Sequence, residues 1–367
     1  GALVTAVVDW AATRNIGFSH VVSIGDMADT DFGDLLDFLA GDTQSRAILI
    51  YMEALTHAPK FISAARRAAR VKPVIVVKSG RHEAGARAAM SHTGALAGSD
   101  AAYDAAFRRT GLLRVKTLPE LFAAAEMLAR APQLGGERLM ILTNGGGAGV
   151  LAADELQDAG GTMAVLGSDI ENSLNNVLPQ AWSHANPVDI IGDAGPERYR
   201  NALSRLLTGT GSDAILVMQC PTALASSIEN AAAVVETAKA SHGGAVTSRP
   251  ILTCWLGDES ARGSRDLFAK NGIPAFETPS DAITGFMQLV RHARAQTELM
   301  QTPPSAALTE VAGLGEAGRL IEVAVKAGRT VLTAMEAKAV LRAEGIPVAE
   351  TILAADPAQV REGARKI

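Results

Sequence analysis

An internal repeat is the feature that most constrains the fold of this chain. A strand-like run, PVIVVKSG, ends at Gly80, and a similar run, PILTCWLG, ends at Gly257. Each run is followed by a helical pattern and then by a similar turn, TGLLRV around Gly111 and NGIPAF around Gly272. Two copies of one strand–helix–strand unit predict two similar domains rather than one large one.

Within each copy, apolar runs of strand length alternate with helical patterns, which is typical of a parallel α/β sheet. We predict two tandem flavodoxin-like domains, the first at residues 1–131 and the second at 138–297. A polar, proline-containing linker and a helix are predicted for 298–330, and the start of a further domain for 331–367. The first copy should include a strand SHVVSIG, and the last segment should form helix, strand and helix.

The two copies differ in length at one place. From Gly80 to Gly111 the chain takes 31 residues, whereas from Gly257 to Gly272 it takes 15. The 16 extra residues lie in the Gly- and Ala-rich stretch SGRHEAGARAAMSHTGALAG, which includes His92. Because loops carry chemistry while the repeated scaffold positions them, we interpret this insertion as functional.

The repeat also predicts a gap in the first sheet. Gly147 of the second copy pairs with Gly1, so the counterpart of the strand RLMILTN would precede Gly1, and we expect the chain to be a fragment. In a flavodoxin-like sheet the first strand is central. The first sheet should therefore show a gap there, or another segment should fill it. A complete five-stranded first sheet built from residues 1–130 would contradict the pairing.

Composition narrows the possible partners. A net charge of −5 and a pI of about 5.9 argue against nucleic acid bound through a basic surface. No apolar run approaches the roughly 20 residues of a membrane span. We expect Cys220 and Cys254, both placed in predicted strands, to be buried reduced thiols, and we expect a cytoplasmic protein.

His92 is the first candidate catalytic residue. The asymmetry between the copies singles it out, and small neighbours would let a large anionic ligand approach the backbone. These neighbours are Gly94, Ala95, Ala97 and Gly98, and Ser91, Thr93 and Gly94 would support the loop. The alternative is that His92 is an ordinary surface histidine.

Glu53 is the second candidate. It ends the strand AILIYME, which pairs with AILVMQC, so Cys220 is its counterpart. The carboxyl edge of a parallel sheet is where ligand sites form. A carboxylate there could accept a hydrogen bond from one imidazole nitrogen and leave the other as a nucleophile. Alternatively, Glu53 is a solvated acid at a strand end.

Glycine turns are candidate phosphate sites, because a helix N-terminus presents free amides to an anion. Close packing of strand and helix is the alternative explanation. The turn of the second copy consists of Asn144, Gly145, Gly146, Gly147, Ala148 and Gly149. The equivalent turn of the first copy would be Gly1, Ala2 and Leu3.

Further polar residues are weaker candidates. Four positive residues flank the loop and could add positive charge to the site, but most of them should be solvated; they are Lys78, Arg81, His82 and Arg87. The run SHANPVDIIGDAG supplies possible substrate contacts, which are Asn186, Pro187 and Asp189. In the same run, Asp193 should cap the following helix.

Together these motifs resemble the NDP-forming acyl-CoA synthetases, the superfamily of succinyl-CoA ligase. SHTGALAGSD is similar to the family's phosphohistidine loop, and NGGGAGVLAADEL with NPVDIIGDA to its second flavodoxin-like domain. DWAATRNIGFSHVVSIGDMADTDFGDLLDFL resembles its first such domain, and LTAMEAKAVLRAEGIPVAET the opening of an ATP-grasp domain. The opening segment is also similar to bacterial acetate–CoA ligase domains fused to a protein acetyltransferase. Certain of those have lost the histidine, so the presence of His92 favours a competent synthetase.

The resemblance implies that His92 carries a phosphoryl group between an acyl phosphate and ADP. It implies that Glu53 orients the imidazole and that the helix ends at Gly1–Leu3 and Gly145–Gly149 hold phosphate. The implied cofactors are CoA, ATP or ADP, and Mg²⁺, with the CoA and nucleotide sites mostly outside this chain. A short-chain carboxylate or acyl-CoA, phosphate and further copies of the chain are the implied partners. The 367 residues alone should therefore have no synthetase turnover.

Two other functions stay open at this point. The repeated domains could form a regulatory module that senses acyl-CoA or a carboxylate for a fused acetyltransferase. A phosphoaspartate protein of the response-regulator kind shares the fold, but no acidic cluster follows the first strand of either copy.

Overall fold

The computed structural model describes most of the chain, in two compact units formed by residues 1–301 and 302–367. The described residues are 2–12, 16–85, 87, 99–130, 134–242, 249–301 and 315–366. Gly1 and the loop residues Ser91, His92, Thr93 and Gly94 lie outside this part.

The first repeat is a layer of parallel strands flanked by helices. Its helices are α1 (Ala2–Ala12), α2 (Phe32–Gly41), α3 (Ala58–Ala69), α4 (Asp100–Arg109) and α5 (Leu118–Arg130). Its strands are β1 (Ile48–Met52), β2 (Val74–Lys78) and β3 (Leu113–Val115), in the order β1-β2-β3. The central strand β2 is an unbroken apolar run before Lys78, as expected of a parallel strand covered on both faces.

The second repeat contains six parallel strands. They are β4 (Arg138–Thr143), β5 (Thr162–Met163), β6 (Val188–Asp189), β7 (Ala214–Gln219), β8 (Ile251–Trp255) and β9 (Ala275–Phe276). The helices are α6 (Gly146–Asp158), α7 (Ser168–Asn175), α8 (Pro196–Thr208), α9 (Ser227–His242), α10 (Glu259–Lys270) and α11 (Pro279–Met300). The order β5-β4-β7-β8-β9, with β6 also on β4, is that of a flavodoxin-like sheet.

The strand registers of the two repeats coincide. Met52 lies opposite Lys78 in the first sheet, and Gln219 lies opposite Trp255 in the second. These are the residue pairs that the sequence repeat aligns, so the predicted duplication extends to individual strand positions.

The predicted gap is present in the first sheet. Its described residues contain counterparts of β7, β8 and β9 but none of β4 or β5. The prediction that SHVVSIG forms a strand is wrong, because residues 19–25 form neither a strand nor a helix. No described strand lies alongside to exchange hydrogen bonds with it, and Val21 and Val22 remain half exposed.

Helix α11 joins the two repeats into one compact unit. Thr278 caps its start by accepting a hydrogen bond from the Asp281 amide. The prediction of a linker from residue 298 is wrong for residues 298–300, because the last turn of α11 packs on the first repeat. There Leu299 is buried in the apolar core, and Gln296 donates to the Gly111 carbonyl at 3.4 Å.

The second compact unit contains three described helices, α12 (Glu316–Lys326), α13 (Ala334–Ala343) and α14 (Pro357–Lys366). Thr333 and Glu336 form a capping box at α13, and the Arg329 guanidinium helps to lower the pKa of Glu336 to about 2. The predicted strand after α13 is wrong, since residues 346–354 have no strand partner in the described part of this unit. None of the described helices combines the length and apolarity needed to cross a membrane.

Candidate functional site

The glycine turn of the second repeat forms an open helix N-terminus. Strand β4 ends at Thr143, whose hydroxyl accepts a hydrogen bond from the Gly145 amide at 3.0 Å. Gly145 is the N-cap of α6 and offers no side chain to the first-turn amides. Within the described residues no partner is found for the amides of Gly146, Gly147 or Ala148. Free first-turn amides favour an anion.

The glycines of this turn lack a side chain for different physical reasons. A Cβ at Gly145 would lie 2.5 Å from Cys220 Sγ, and one at Gly149 would lie 3.1 Å from Pro187 Cβ. Close packing therefore explains these two positions. A Cβ at Gly147 would meet no atom within 4 Å, and Gly147 is exposed. Packing against the described residues therefore gives no reason for a glycine there, and the position is open to a ligand.

Asn144 holds the turn against the neighbouring strand. Its Nδ2 donates to the Cys220 carbonyl at 3.0 Å, and its Oδ1 accepts from the Cys220 amide at 2.7 Å. The side chain is buried. Asn144 thus positions the glycine turn at the carboxyl edge of β4 and β7.

Asp189 lies beside the same turn. Its Oδ1 accepts a hydrogen bond from the Ile191 amide at 2.9 Å. A Cβ built on Gly146 would lie 2.8 Å from its Oδ2. Two predicted site features, the glycine turn and the run around Asp189, are therefore brought together by the pairing of β6 with β4.

Asn186 has its polar atoms engaged in the sheet. Its Oδ1 accepts from the Ile141 amide at 2.9 Å, and its Nδ2 donates to the carbonyls of Leu139 and Ala164 at 2.9 and 2.8 Å. Strands β5 and β6 both pair with β4, and the Asn186 side chain continues the hydrogen bonding of β4 between them. Its predicted substrate role stays a prediction, as does that of Pro187, which packs on Gly149.

Replacing Asn186 by alanine should destabilise the protein. Three backbone groups lose a partner inside the sheet, so we expect the free energy of unfolding to fall by about 2–3 kcal/mol. Urea denaturation measures this loss. Asn172→Ala, at an exposed position on α7, is the matched control and should change it little. Equal effects of the two substitutions would contradict the bridging role of Asn186.

The prediction that Asp193 caps α8 is wrong. The N-cap of α8 is Gly195, which has no side chain for capping. Asp193 Oδ1 instead accepts from Arg198 Nη1 at 2.5 Å, and this interaction lowers the pKa of Asp193. The Gly195–Pro196 pair starts the helix, so Asp193 lies two residues too early to be the cap.

The two cysteines are free thiols, as expected. Cys254 is buried in β8, and Cys220 is half buried after β7. Burial raises the pKa of both, that of Cys254 to about 12. Both thiols are therefore protonated near neutral pH, which does not suit a nucleophile.

Glu53 lies at the carboxyl edge of the first sheet. It directly follows β1 and is half buried, with Tyr51 Oη at 3.5 Å from its Oε1. The Ser79 amide donates to the Met52 carbonyl at 2.9 Å. Glu53 therefore stands beside the start of the inserted loop, as the sequence predicts.

Lys78 differs from its predicted solvated state. Only 2% of its surface is exposed. Its Nζ donates to the Ser79 carbonyl and lies 4.7 Å from the centroid of the Tyr103 ring. Burial lowers the pKa of Lys78. The sequence held one signal for this, since its counterpart in the second repeat is Trp255, a core residue.

The remaining positive residues near the loop agree with a solvated surface. Arg87 Nη1 pairs with Glu83 Oε1 at 2.7 Å with both side chains exposed. His82 is exposed and Arg81 is partly exposed. At the start of the first repeat, Leu3 lies in the first turn of α1 and is exposed. That this helix end binds phosphate stays a prediction.

Two protein families match the chain. Residues 1–128 match the succinyl-CoA ligase like flavodoxin domain, and residues 139–299 match the ligase-CoA domain. These ranges correspond to the two repeats.

Curated relatives and a solved structure are similar over most of this chain. The α subunit of acetate–CoA ligase (ADP-forming) I from Pyrococcus furiosus is 37% identical over 80% of the chain and 63% of that protein. The 4-hydroxybutyrate–CoA ligase (ADP-forming) of Nitrosopumilus maritimus is 31% identical over 100% of the chain and 51% of that protein. The dinucleotide forming acetyl-coenzyme A synthetase 1 of Ca. Korarchaeum cryptofilum, solved with phosphate and ADP, is 36% identical with a TM-score of 0.77. The match covers 82% of this chain and 64% of that one. The chain thus spans about half to two thirds of these relatives.

Proposed function

Since the chain belongs to the succinyl-CoA ligase-like family of ADP-forming acyl-CoA ligases, we propose that it is the phosphohistidine core of an acyl-CoA synthetase. The complete enzyme would interconvert acyl-CoA, ADP and phosphate with a carboxylic acid, CoA and ATP. The observation that carries this proposal is the His92 insertion in one of two repeats whose strand registers otherwise coincide.

The reaction divides into three transfers. A phosphate oxygen attacks the thioester carbonyl, the carbon–sulfur bond breaks, and the CoA thiolate leaves and takes a proton. An imidazole nitrogen of His92 then attacks phosphorus, and the acyl carboxylate leaves. The terminal oxygen of ADP finally attacks the phosphorus of phospho-His92, which forms ATP and frees the imidazole.

The residues of this chain have separate roles in the proposal. Glu53 would accept a hydrogen bond from one nitrogen of His92, which orients the ring and directs the other nitrogen to phosphorus. The open amides at Gly146 and Gly147 would hold the phosphoryl oxygens. The Asp189 carboxylate would limit how deeply the anion enters the turn, because both groups are negatively charged. A protonated phosphate oxygen would instead donate a hydrogen bond to this carboxylate.

CoA, the nucleotide and Mg²⁺ are proposed to bind mostly outside the two repeats. The described residues contain no group of three or more His, Cys, Asp or Glu side chains able to hold a metal ion. Mg²⁺ is proposed to arrive with the nucleotide at an ATP-grasp domain that begins near residue 331. The boundaries 1–131 and 331–367, a cytoplasmic location, assembly into homo-oligomers and a fused acetyltransferase all remain proposals.

Labelling of the complete wild-type enzyme tests the function. With [γ-³²P]ATP we expect a protein-bound phosphate that is labile in acid and stable in alkali, which is the behaviour of phosphohistidine. The label should be discharged by adding carboxylate and CoA together. A wild-type protein that takes up no label would instead support the regulatory module, in which the repeats bind acyl-CoA without chemistry.

A further inference from the structure

A cluster of charged and aromatic side chains lies at the carboxyl edge of the first sheet, next to the inserted loop. Lys78 is buried in it, and the other members are partly exposed. We call it the Lys78 cluster; its members are Lys78, Asp100, Tyr103 and Arg114. Lys78 Nζ lies over the Tyr103 ring, and Arg114 Nη2 pairs with Asp100 Oδ1 at 2.5 Å. Arg114 Nη1 also lies 3.3 Å from Asp104 Oδ1. Arg114 has close carboxylate partners, whereas none is found for Lys78 among the residues that the structure describes.

The second repeat has no such cluster at the same positions. The strand registers and the turns at Gly111 and Gly272 align the two copies residue by residue. The counterparts of Lys78, Asp100, Tyr103 and Arg114 are Trp255, Ala261, Ser264 and Ala275. Trp255 is fully buried and packs edge-on against Phe268. An apolar side chain therefore suits this place, and burying an ammonium there costs free energy.

The cluster spans the two ends of the inserted loop. Lys78 and Ser79 immediately precede the loop, and Asp100 is the first residue of α4, which follows it. Lys78 contacts both sides, through the Ser79 carbonyl and the ring of Tyr103 in the first turn of α4. The charged residues thus occur in the copy that has the loop, at the points where the loop leaves and rejoins the fold.

We propose that Lys78 is a positioning residue for the phosphoryl transfer, because its buried ammonium ties the start of the loop to α4 and places a fixed positive charge beside Glu53. This inference rests on the proposed function. A cation held away from water acts more strongly on a nearby anion than a solvated one does. The charge would favour the approach of the anionic phosphoryl group, while the two contacts hold the loop ends in register.

The surroundings of Lys78 make the proposal sensitive to pH. The charged groups that act on Lys78 are Glu53 after β1, Asp100 in α4 and Arg114 in β3, and the Tyr103 ring of α4 lies beside its ammonium. Burial has the largest effect on the pKa of Lys78 and lowers it. The charge of Arg114 also lowers this pKa, whereas the charges of Asp100 and Glu53 raise it. Lys78 therefore loses its proton at a lower pH than an ordinary lysine. The rate of phosphohistidine formation should fall as pH rises through that value.

The test measures the rate of phosphohistidine formation in the complete enzyme by rapid quench with labelled ATP, over neutral to alkaline pH. Lys78→Met keeps the length of the side chain and removes its charge, so we expect a rate about tenfold lower with no alkaline decline. Lys78→Arg keeps the charge at all these pH values and should retain most of the rate, also without the decline. Tyr103→Phe should keep the decline, which separates Lys78 from the other group that titrates at high pH.

Lys72→Met is the matched control in the same repeat. The Lys72 amine donates to the carbonyls of Leu39, Asp42 and Ser45, so its loss should lower stability without changing the pH profile. A Lys78→Met enzyme with the rate and pH profile of Lys72→Met would overturn the inference. If Lys78→Met does not fold, an alkaline decline that persists in Lys78→Arg overturns it equally. If the wild type is labelled and substitution of Lys78 changes neither the rate nor the pH profile, only this inference is refuted. A wild type that takes up no label refutes the proposed function itself.

Discussion

Replacing His92 by alanine should abolish phosphoenzyme formation in the complete protein. The imidazole is the only group proposed to hold the phosphoryl covalently between the acyl phosphate and ADP. Without it we expect ADP-dependent turnover to fall by ~10³-fold or more, because neither half of the reaction can hand its phosphoryl group to the other. Labelling with [γ-³²P]ATP and a coupled assay of ATP formation from acyl-CoA measure the two losses.

His82→Ala is the matched control for this experiment. His82 lies at the start of the same loop and is exposed. Its loss should leave labelling and turnover close to those of the wild type. If His92→Ala still carries acid-labile phosphate, or if His82→Ala loses it, the assignment of the carrier to His92 is wrong.

Replacing Gly147 by alanine should weaken phosphate use without weakening the fold. A methyl group at Gly147 meets no atom of the described residues within 4 Å, and alanine inside a helix is favoured over glycine by about 0.5–1 kcal/mol. The same methyl group would project into the space from which phosphate approaches the amides. We therefore expect the KM for phosphate to rise about tenfold or more while thermal stability stays equal or increases.

Gly145→Ala provides the contrast. Its Cβ would lie 2.5 Å from Cys220 Sγ, and the adjoining segments are held together by Asn144. This variant should lose about 1–3 kcal/mol of stability from overpacking. Calorimetry and phosphate kinetics on both variants separate packing from ligand binding. An unchanged KM for phosphate in Gly147→Ala would remove the glycine turn from the site.

Much of the fold could be predicted because the signals are local. Strand β2 and its counterpart β8 are largely apolar, and their registers match the sequence alignment. The segment SHVVSIG is predicted to be a strand from its short apolar stretch and does not form one, because a strand also needs a neighbour. The predicted cap at Asp193 failed because the helix starts later, with Gly195 as its N-cap, and the Asp193 carboxylate pairs with Arg198 instead.

The residues of the candidate site could be named from the sequence, but the contacts of several of them could not. Gly145 and Gly147 look alike in the sequence, and only the distances from their missing side chains show that one is a packing glycine and the other is open. Asn186 was a candidate substrate residue by its place in a polar run. Its three backbone hydrogen bonds could be seen only once β5 and β6 were placed on the same edge of β4.

By itself, the sequence determined the duplication, the parallel α/β class, the inserted loop with His92 and the place of Glu53 at a strand end. These follow from residue order, because the hydrophobic period, the glycine turns and the unequal number of residues between matching glycines can be read directly from the sequence. Only the tertiary structure decided that Lys78 is buried and that Asp189 lies beside the glycine turn. Burial and contact depend on which segments meet in space, and residues such as Asp100 and Lys78 become neighbours only when the sheet and α4 pack together.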